Sequence, residues 1–537
     1  MSIAEQSRLE QSRLEQTRLE QSRREESQAH VAAEPALLNM DQVKVDPAWA
    51  LRVPAALAVR RQVLPFAFID GRVHVACADT TDATALQAVE RFVGNPVSAE
   101  AADPVSLKRV LNRVFGRSAG GRSDGRGGDS RVGDGPVRIT DLRKAGDPDS
   151  SDAVALCDEL LYAALVREAS DIHIDAAQDH VLVRLRVDGV LETYRKLPQA
   201  VLTGLVSRFK VLGGMDIAEK RAPQDGRFTH QFGSGGQSID IRVASLPTKH
   251  GERMTLRLLA LQTESLTVER LGMRPCDLDL FERAIARPHG MILLTGPTGS
   301  GKTTTLYAAL RRLIHQRGGN IITIEDPIEY NIPGVAQVEV DSADKISFGR
   351  ALRSTLRHDP DIVMIGEIRD QETADVAIKA SLTGHLVFST LHTNSAASVV
   401  TRLADMGVER FLIGATMRLA VAQRLVRRLC VHCRRPRPLA TDEAAALNRV
   451  AQAGVTVYDP VGCLYCANRG YVGRLGLFEL FATDEELSGR IAQGCNEAAL
   501  IEAARSRGIG TLVDDAFEKL LTGETSVPEV LATVTAW

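Results

Sequence analysis

Residues 296–303, with the sequence GPTGSGKT, have the spacing of glycine, lysine and threonine that surrounds nucleotide phosphates. The apolar run MILLT precedes this loop and the helical run LYAALRRLI follows it, a context that distinguishes a phosphate loop from a chance match. Its glycines let successive backbone N–H groups approach the phosphates at a helix N-terminus. We expect Lys302 to reach the β- and γ-phosphates and the Thr303 hydroxyl to bind Mg²⁺. The residues predicted to bind nucleotide here are Gly296, Pro297, Thr298, Gly299, Ser300, Gly301, Lys302, Thr303 and Thr304.

Acidic residues follow two further apolar runs. The run NIITI leads into EDPIEY, where Pro327 ends the strand and turns the chain. Acidic groups at the carboxyl end of a parallel strand lie beside the nucleotide crevice, so Glu329 is the candidate to orient or deprotonate the attacking water. A helix N-cap made by Asp326 is the structural alternative, and both roles can hold together. The run IVMI ends in Gly-Glu367, the candidate for the Mg²⁺-bound water, whereas Asp361 precedes that run and is expected to be structural.

Two histidines, His385 and His392, flank the apolar run LVFSTL. A single histidine at a strand end is more often a structural residue. Two of them around one strand favour a contact between one histidine and the γ-phosphate.

Four cysteines form two Cys-x-x-Cys pairs, Cys430 with Cys433 and Cys463 with Cys466. Two such pairs supply four thiolates for a tetrahedral Zn²⁺ ion. Four protein ligands leave no open position, so we expect the zinc to be structural and His432 not to be a ligand. Disulfides and a redox dithiol are the disfavoured alternatives. The remaining cysteines are expected to be ordinary buried residues: Cys77, Cys157, Cys276 and Cys495.

Composition narrows the function classes. The chain has 537 residues, enough for three or four domains, and combines 44% hydrophobic with 25% charged residues, as soluble globular proteins do. Aromatic residues make up 4% and the net charge is -3, which argues against a dedicated nucleic-acid binder. No apolar run approaches the ~18–20 residues of a membrane span, and the N-terminus lacks the apolar centre of a signal peptide, so we expect a cytosolic chain.

A basic cluster lies between the phosphate loop and the second cysteine pair. A solvated face or a contact with an acidic protein explains it better than nucleic acid, given the low aromatic content. Its members are Arg424, Arg427, Arg428, Arg434, Arg435 and Arg437.

The expected fold class is α/β multidomain, with a RecA-like P-loop core built on a parallel-dominated sheet. A PAS-like α+β module and a small N-terminal α/β module precede the core, and a tetracysteine zinc insert follows it. The expected segments are a charged, disordered repeat tail at 1–33, a docking module at 34–116, a flexible linker at 117–150, the PAS-like module at 151–262, the ATPase domain at 263–425, the zinc module at 426–475 and a helical region at 476–537.

Several long segments resemble the secretion ATPases of the type II secretion and type IV pilus superfamily. The similar segments around the nucleotide site are GPTGSGKTTT, IEDPIEY, LRHDPDIVMIGEIRD and TGHLVFSTLHTN. Upstream they are SDIHI, RLRVDGVL, KRAPQDGRF and DIRVASLPTKHGERMTLRLL, and RGYVGRLGLFEL follows the cysteines. The resemblance extends over most of residues 34–537 and is far more specific than the phosphate loop alone.

The resemblance implies a hexamer in which each nucleotide sits between its own P-loop domain and the preceding module. It implies that Arg242 and Arg257 of that module stabilise phosphate charge. It also implies that Glu329 is the catalytic carboxylate, Glu367 the Walker B residue, and His385 and His392 the histidine box. Further arginines expected at the nucleotide are Arg353, Arg357, Arg369 and Arg474.

The function implied by the resemblance is Mg²⁺-dependent ATP hydrolysis that drives pseudopilus assembly and protein export. The implied partners are inner-membrane platform proteins, namely the cytoplasmic domain of a bitopic L-type component and a polytopic F-type component, which the 34–116 module would bind. The alternatives are a type IV pilus extension ATPase, a DNA-translocating conjugation ATPase and a non-hydrolysing nucleotide-dependent scaffold. A retraction ATPase is disfavoured, because that branch usually lacks the cysteine pairs and the long N-terminal extension.

Overall fold

The structure, a computed structural model, describes residues 37–115, 153–231, 238–259, 267–340 and 347–534. The expected tail at 1–33 and linker at 117–150 lie outside these residues. The chain divides into two compact units, of which the described parts are residues 37–43 with 48–115, and residues 44–47 with those from 153 onward.

The N-terminal unit contains a three-stranded mixed sheet with helices. Strand β1 Val63–Ile69 pairs antiparallel with β2 Arg72–Cys77, which pairs parallel with β3 Val97–Ala101. The helices of this stretch are α1 Pro47–Ala50, α2 Ala55–Arg61, α3 Ala83–Val93 and α4 Pro104–Phe115. Helix α3 begins where the Asp82 carboxylate accepts a hydrogen bond from Ala85 N–H, and it ends at Gly94 in the left-handed conformation.

The next module is a six-stranded antiparallel sheet in the order β6-β5-β4-β9-β8-β7, as expected for residues 151–262. Its strands are β4 Asp171–Ala176, β5 His180–Val187, β6 Val190–Pro198, β7 Gln224–Gln231, β8 Ser238–Thr248 and β9 Gly251–Leu258. Alternate residues of β5 are buried, and this apolar face packs in one core with helices α5 Ala153–Val166 and α6 Leu202–Leu212. The opposite face carries charged residues.

The central sheet, which carries the predicted phosphate loop, has seven strands in the order β12-β11-β13-β14-β10-β15-β18. All neighbouring strands are parallel except β15 and β18, which are antiparallel. The strands are β10 Gly290–Thr295, β11 Ile321–Glu325, β12 Ala336–Glu339, β13 Ile362–Ile365, β14 Leu386–Leu391, β15 Met417–Leu429 and β18 Tyr471–Ala482.

Helices cover both faces of this sheet, because alternate residues of β10 enter two different cores. Ile292 and Leu294 pack in the core that contains residues of helices α7 Pro275–Ile285 and α8 Lys302–Arg317. Met291 and Leu293 pack in the core that contains residues of the later helices. Those helices are α9 Phe348–Thr355, α10 Gln371–Leu382, α11 Ser398–Asp405 and α12 Arg410–Thr416. The arrangement is the RecA-like α/β layering expected from the sequence.

The cysteine module is an excursion from the central sheet. Strands β15 and β18 pair up to Leu429 opposite Tyr471, with a shift of register between Arg427 and Leu429, so the excursion comprises residues 430–470. The expected boundaries at 425/426 and 475/476 therefore fall inside β15 and β18. The excursion contains the hairpin β16 Arg435–Pro438 with β17 Thr456–Asp459 and helix α13 Thr441–Ala446. The chain ends in helices α14 Glu485–Ala492, α15 Glu497–Arg505, α16 Leu512–Leu521 and α17 Val527–Val534.

Among the helices of the described residues, none combines the length and the apolar character needed to cross a bilayer.

A buried ion pair gives a test of the antiparallel module. The Lys210 ammonium is fully buried, lies 2.5 Å from the Glu252 carboxylate and donates to the Glu219 carbonyl at 2.6 Å. Lys210→Met leaves Glu252 charged and buried, so we expect about 3 kcal/mol less stability. Lys210→Met with Glu252→Leu should recover most of that loss. Urea denaturation, with hydrogen exchange at β8 and β9, measures the stability of both variants. Equal losses of stability in the single and the double variant would contradict a buried ion pair between Lys210 and Glu252.

Candidate nucleotide site and tetracysteine site

The phosphate loop connects β10 to α8 and needs glycine where it passes β15. Gly296 has φ of +145°. A Cβ atom built on it would lie 2.4 Å from the Gln423 carbonyl oxygen, closer than two such atoms can approach. The loop backbone is thus held in contact with the neighbouring strand.

Lys302, the first residue of α8, lies within this loop. Its ammonium donates hydrogen bonds to the carbonyl oxygens of Gly296 at 2.8 Å and Pro297 at 3.2 Å. Burial lowers the pKa of Lys302 to about 8, and the negative charge of Glu367 partly opposes that shift. The charges of Lys302 and Glu367 therefore interact.

Glu367 lies just beyond the carboxyl end of β13. The preceding Gly366 is fixed on both sides, because its N–H donates to Ile324 O at 2.8 Å and its carbonyl accepts from Thr390 Oγ1 at 2.7 Å. The Glu367 carboxylate pairs with Arg369 and lies 3.6 Å from His392 Nε2. Three of the predicted site residues therefore meet at this edge of the sheet.

His385 lies at the other end of β14. Its Nδ1 lies 2.9 Å from the Ala380 carbonyl and 3.2 Å from Thr383 Oγ1, at the C-terminal turn of α10. Because β14 spans residues 386–391, the two histidines occupy opposite edges of the sheet, about 20 Å apart. The structure does not bring His385 to the phosphate loop, whereas His392 lies at the edge of the sheet that carries this loop.

Glu329 lies in the loop between β11 and β12, and the antiparallel module contacts this loop. Arg242 Nη2 donates to the Ile328 carbonyl at 3.1 Å. Burial lowers the pKa of Arg242, while the charge of Glu329 opposes the shift. No helix begins at Asp326 in the described residues that follow it, so the N-cap alternative is not realised.

Arg242 belongs to a row of charged residues that runs across five strands. The strand register places these residues directly opposite one another in the order Arg227, Arg242, Arg257, Asp171 and Arg186. Arg257 Nε donates to Asp171 Oδ1 at 3.1 Å, and its side chain is 60% exposed. The structure brings Arg257 beside Arg242, and it adds Arg227 and Arg186, which sequence reasoning missed.

The other predicted arginines lie elsewhere. Arg353 pairs with Glu372 of α10 at 2.6 Å, and Arg357 donates to the Arg353 carbonyl at 3.3 Å. Arg474 lies against Gly189 in the turn between β5 and β6, 3.9 Å from where that residue's Cβ would be. Among the contacts of the described residues, those of Arg353, Arg357 and Arg474 do not include the phosphate loop.

Arg424 is a buried residue beneath the phosphate loop, which contradicts its assignment to a solvated basic face. It donates to the carbonyls of Gln423 at 3.0 Å and Asn394 at 3.1 Å. Burial lowers its pKa, and the nearby Glu479 charge opposes that shift. Arg424 is buried because its strand, β15, lies beside β10. The composition of the basic cluster does not contain that information.

Most other members of the basic cluster bind groups of this chain. Arg427 pairs with Glu529 at 2.5 Å and lies over the Tyr471 ring at 4.0 Å. Arg437 pairs with Glu443 and with Asp459, both at 2.7 Å. The cluster is therefore not one solvated surface.

The four cysteine sulfurs form a compact group. The Sγ distances are 3.7 Å for Cys430 to Cys463, 3.9 Å for Cys433 to Cys466 and 3.8 Å for Cys463 to Cys466. Four sulfurs about 2.3 Å from one zinc ion lie about 3.8 Å apart, so the arrangement fits tetrahedral zinc. The His432 ring stacks on Tyr465 with centroids 3.7 Å apart and is not in the four-residue metal-ligand group.

The lowered lysine pKa predicts pH-dependent nucleotide binding. A bound triphosphate stabilises the ammonium form, whereas the nucleotide-free Lys302 loses its proton as the pH rises through about 8. Affinity should be constant below that pH and fall by up to about tenfold per unit above it. Titration with a fluorescent nucleotide from about pH 7 to about pH 9.5 measures this. Lys302→Arg, whose guanidinium stays protonated, should lack the dependence, and a flat wild-type profile would contradict the prediction.

The sulfur geometry predicts about one zinc ion per chain. Cys433→Ser should lower the zinc content and the melting temperature, because one ligand is lost. Cys276→Ser, at a cysteine that lies outside the group and is exposed rather than buried as expected, should leave both unchanged. Elemental mass spectrometry and thermal unfolding are the measurements, and a zinc content equal in both variants would refute the site.

Two family profiles and several known proteins are similar to this chain in sequence. The sequence profile of the type II/IV secretion system protein family matches residues 147–532, and that of the MshEN domain matches residues 35–121. Type II secretion system protein HxcR of Pseudomonas aeruginosa is 47% identical over 401 residues, 75% of this chain and 81% of that protein. Type II secretion system protein E of the same organism is 41% identical over 486 residues, 89% of this chain and 95% of that protein.

A type IV pilus protein and two solved structures are also similar. The type IV pilus assembly ATPase PilB of Thermus thermophilus is 38% identical over 495 residues, 91% of this chain and 55% of that protein. The ATPase DotB of Legionella pneumophila has a TM-score of 0.52 at 24% identity, covering 70% of this chain and 94% of that one. DotB of Yersinia pseudotuberculosis has a TM-score of 0.51 at 21% identity, covering 70% and 92%. These two structures support the fold, and the sequence matches give the family. The chain belongs to the type II/IV secretion system proteins and, within them, to the type II secretion ATPase family, which has type IV pilus ATPases as relatives.

Proposed function

We propose that this chain is a Mg²⁺-dependent ATPase that couples hydrolysis to pseudopilus assembly and protein export by a type II secretion system. The observation that carries the proposal is that Lys302, Glu367 and His392 follow the carboxyl ends of β10, β13 and β14, which are parallel neighbours in the central sheet. The loop of Glu329 follows the neighbouring strand β11 and receives Arg242 from a separate sheet.

Each side chain has a role in this site. The loop of residues 296–303 binds the phosphates, and Lys302 exchanges its two carbonyl partners for β- and γ-phosphate oxygens. The Thr303 hydroxyl and the Glu367 carboxylate are oxygen donors of the kind Mg²⁺ prefers, Glu367 through a water. Mg²⁺, when bound, neutralises charge on the β- and γ-phosphates. Glu329 accepts a proton from the attacking water, and His392 contacts the γ-phosphate.

The location of the arginines supports a motor rather than a simple hydrolase. Arg242 and Arg257 lie on a sheet different from the one that carries the phosphate loop. Their charge can stabilise phosphate only while the two modules are close, so nucleotide binding and release are coupled to movement between modules. We propose a homo-hexamer of such sites on the cytoplasmic face of the inner membrane, bound to L-type and F-type platform proteins through the N-terminal unit.

A type IV pilus extension ATPase is the second candidate, because the match to the Thermus thermophilus pilus protein extends over 91% of this chain. The two candidates are distinguished by expressing this chain in one strain that lacks its secretion ATPase and in another that lacks its pilus extension ATPase. Restored secretion without restored pili supports the secretion ATPase. A DNA-translocating role is less favoured, since many arginines of the basic cluster are paired within the chain. Salt-dependent binding of single-stranded DNA would support that role.

Substitution of the proposed base tests the reaction. Glu329→Gln should lower phosphate release by about 10²–10⁴-fold and leave nucleotide affinity within a few-fold, because the amide cannot accept the proton. Lys302→Ala should lower both affinity and turnover. Glu372→Gln, at an exposed carboxylate of α10, is the matched control and should behave like wild type. Absence of turnover in the wild type, even with a platform partner, or undiminished turnover in Glu329→Gln, would refute the proposal.

A further inference from the structure

The loop that carries Glu329 is held by one side chain from the strand that follows it. Gln337 of β12 donates from Nε2 to Glu325 Oε1 at 3.1 Å and to the Tyr330 carbonyl at 3.2 Å. Its Oε1 accepts from Ile332 N–H at 2.8 Å. Gln337 therefore binds Glu325, just before the loop, and Tyr330 and Ile332 within it, so its hydrogen bonds lie on both sides of Glu329.

Glu325, where this segment begins, is a buried anchor. Its side chain accepts hydrogen bonds from Thr323 Oγ1 at 2.6 Å, from Gln337 and from the Tyr307 phenol. A buried carboxylate is tolerated where such donors replace water. With its oxygens engaged in this way, Glu325 fixes the position of the loop rather than taking part in proton transfer.

Tyr307 connects the same loop to the phosphate-binding helix. It lies on α8, the helix that begins at Lys302, and its side chain is fully buried. Its ring packs edge-on against Tyr330, with centroids 4.5 Å apart and an interplanar angle of 75°. The guanidinium of Arg311, one turn further along α8, lies 5.2 Å from the centroid of the Tyr330 ring. Helix α8 thus holds both the phosphate lysine and the loop of the catalytic candidate.

We propose that Gln337 and Tyr307 are positioning residues for the Glu329 carboxylate, which rests on the proposed role of Glu329 as the base. Neither residue lies in the phosphate loop, and both act through Glu325 and Tyr330. The carboxylate must meet a water in line with the γ-phosphate, and a displacement of about 1 Å can cost about 10²-fold in rate. Because Lys302 and Tyr307 both belong to α8, contacts between this helix and the loop set the distance from the Glu329 carboxylate to the bound phosphate.

The contact from Arg242 lies on the same segment and adds a constraint from the other module. Arg242 donates to the Ile328 carbonyl, while Ile328 N–H donates to the Glu339 carboxylate of β12 at 3.4 Å. Gln337 and Tyr307 hold residues on both sides of Glu329 from within the ATPase core, whereas Arg242 holds Ile328 from the other module. The core contacts are therefore the ones that should hold Glu329 when the modules separate.

Single-turnover and steady-state ATP hydrolysis by the full chain test the assignment. Gln337→Leu removes three hydrogen bonds and should lower kcat by about 10–100-fold, with KM and nucleotide affinity within about threefold of wild type. Tyr307→Phe keeps the ring packing, loses the phenol donor and should lower kcat by about tenfold. Val338→Ala, at the next position of β12, is the matched control and should keep wild-type kcat.

A double-mutant comparison separates positioning from general damage. In the Glu329→Gln background, Gln337→Leu should lower the residual rate by less than about twofold, because a residue that acts through Glu329 has no effect once that carboxylate is gone. Full additivity, a raised KM with unchanged kcat, or loss of kcat in Val338→Ala would overturn the proposal. Undiminished turnover in Glu329→Gln would instead overturn the proposed base. If Gln337→Leu does not fold, Tyr307→Phe, which removes one oxygen atom, is used in the same comparison.

Discussion

The parallel hydrogen-bond ladder of the central sheet determines where the phosphate loop, Glu367, His392 and the loop of Glu329 lie. Strands β10, β11, β13 and β14 run in one direction, so their carboxyl ends share one edge. The phosphate loop, Glu367, His392 and the loop of Glu329 each follow one of these ends directly. Segments separated by many residues in the chain therefore meet without any long connection crossing the site. A residue at the amino end of the same strand, such as His385, is excluded by the same geometry.

A second constraint is electrostatic. Lys302 and Arg424 are both buried near the phosphate loop, and burial lowers the pKa of each. Glu479 offsets part of this positive charge, and burial raises the pKa of its carboxyl group. That carboxylate also accepts hydrogen bonds from the backbone N–H of Ala396 at 2.8 Å and of Leu512 at 3.2 Å. It therefore connects the segment after His392 to the first turn of α16, so a C-terminal helix helps to support the candidate nucleotide site.

Local sequence patterns were sufficient for features that depend on short-range spacing. The phosphate loop, the two cysteine pairs and the parallel and antiparallel sheets were all predicted, because glycine positions, metal-ligand spacing and strand periodicity are contained in short segments. Features that depend on strand order and register were not predicted. The row that joins Arg227 and Arg186 to Arg242 depends on which strands pair, and spacing along the chain does not encode that. The burial of Arg424 likewise depends on β15 lying beside β10, a neighbour known only from the fold.

The pairing of β15 with β18 has a mechanical consequence. Strand β15 extends over 13 residues, about 40 Å at the rise of an extended chain. One of its ends leads directly into Cys430, and its middle touches the phosphate loop through Gln423 and Arg424. Hydrogen bonds to β18 brace this strand along most of its length. A load applied at the cysteine group is therefore carried as shear along a stiff two-stranded rod whose midpoint rests against Gly296 of the predicted phosphate loop.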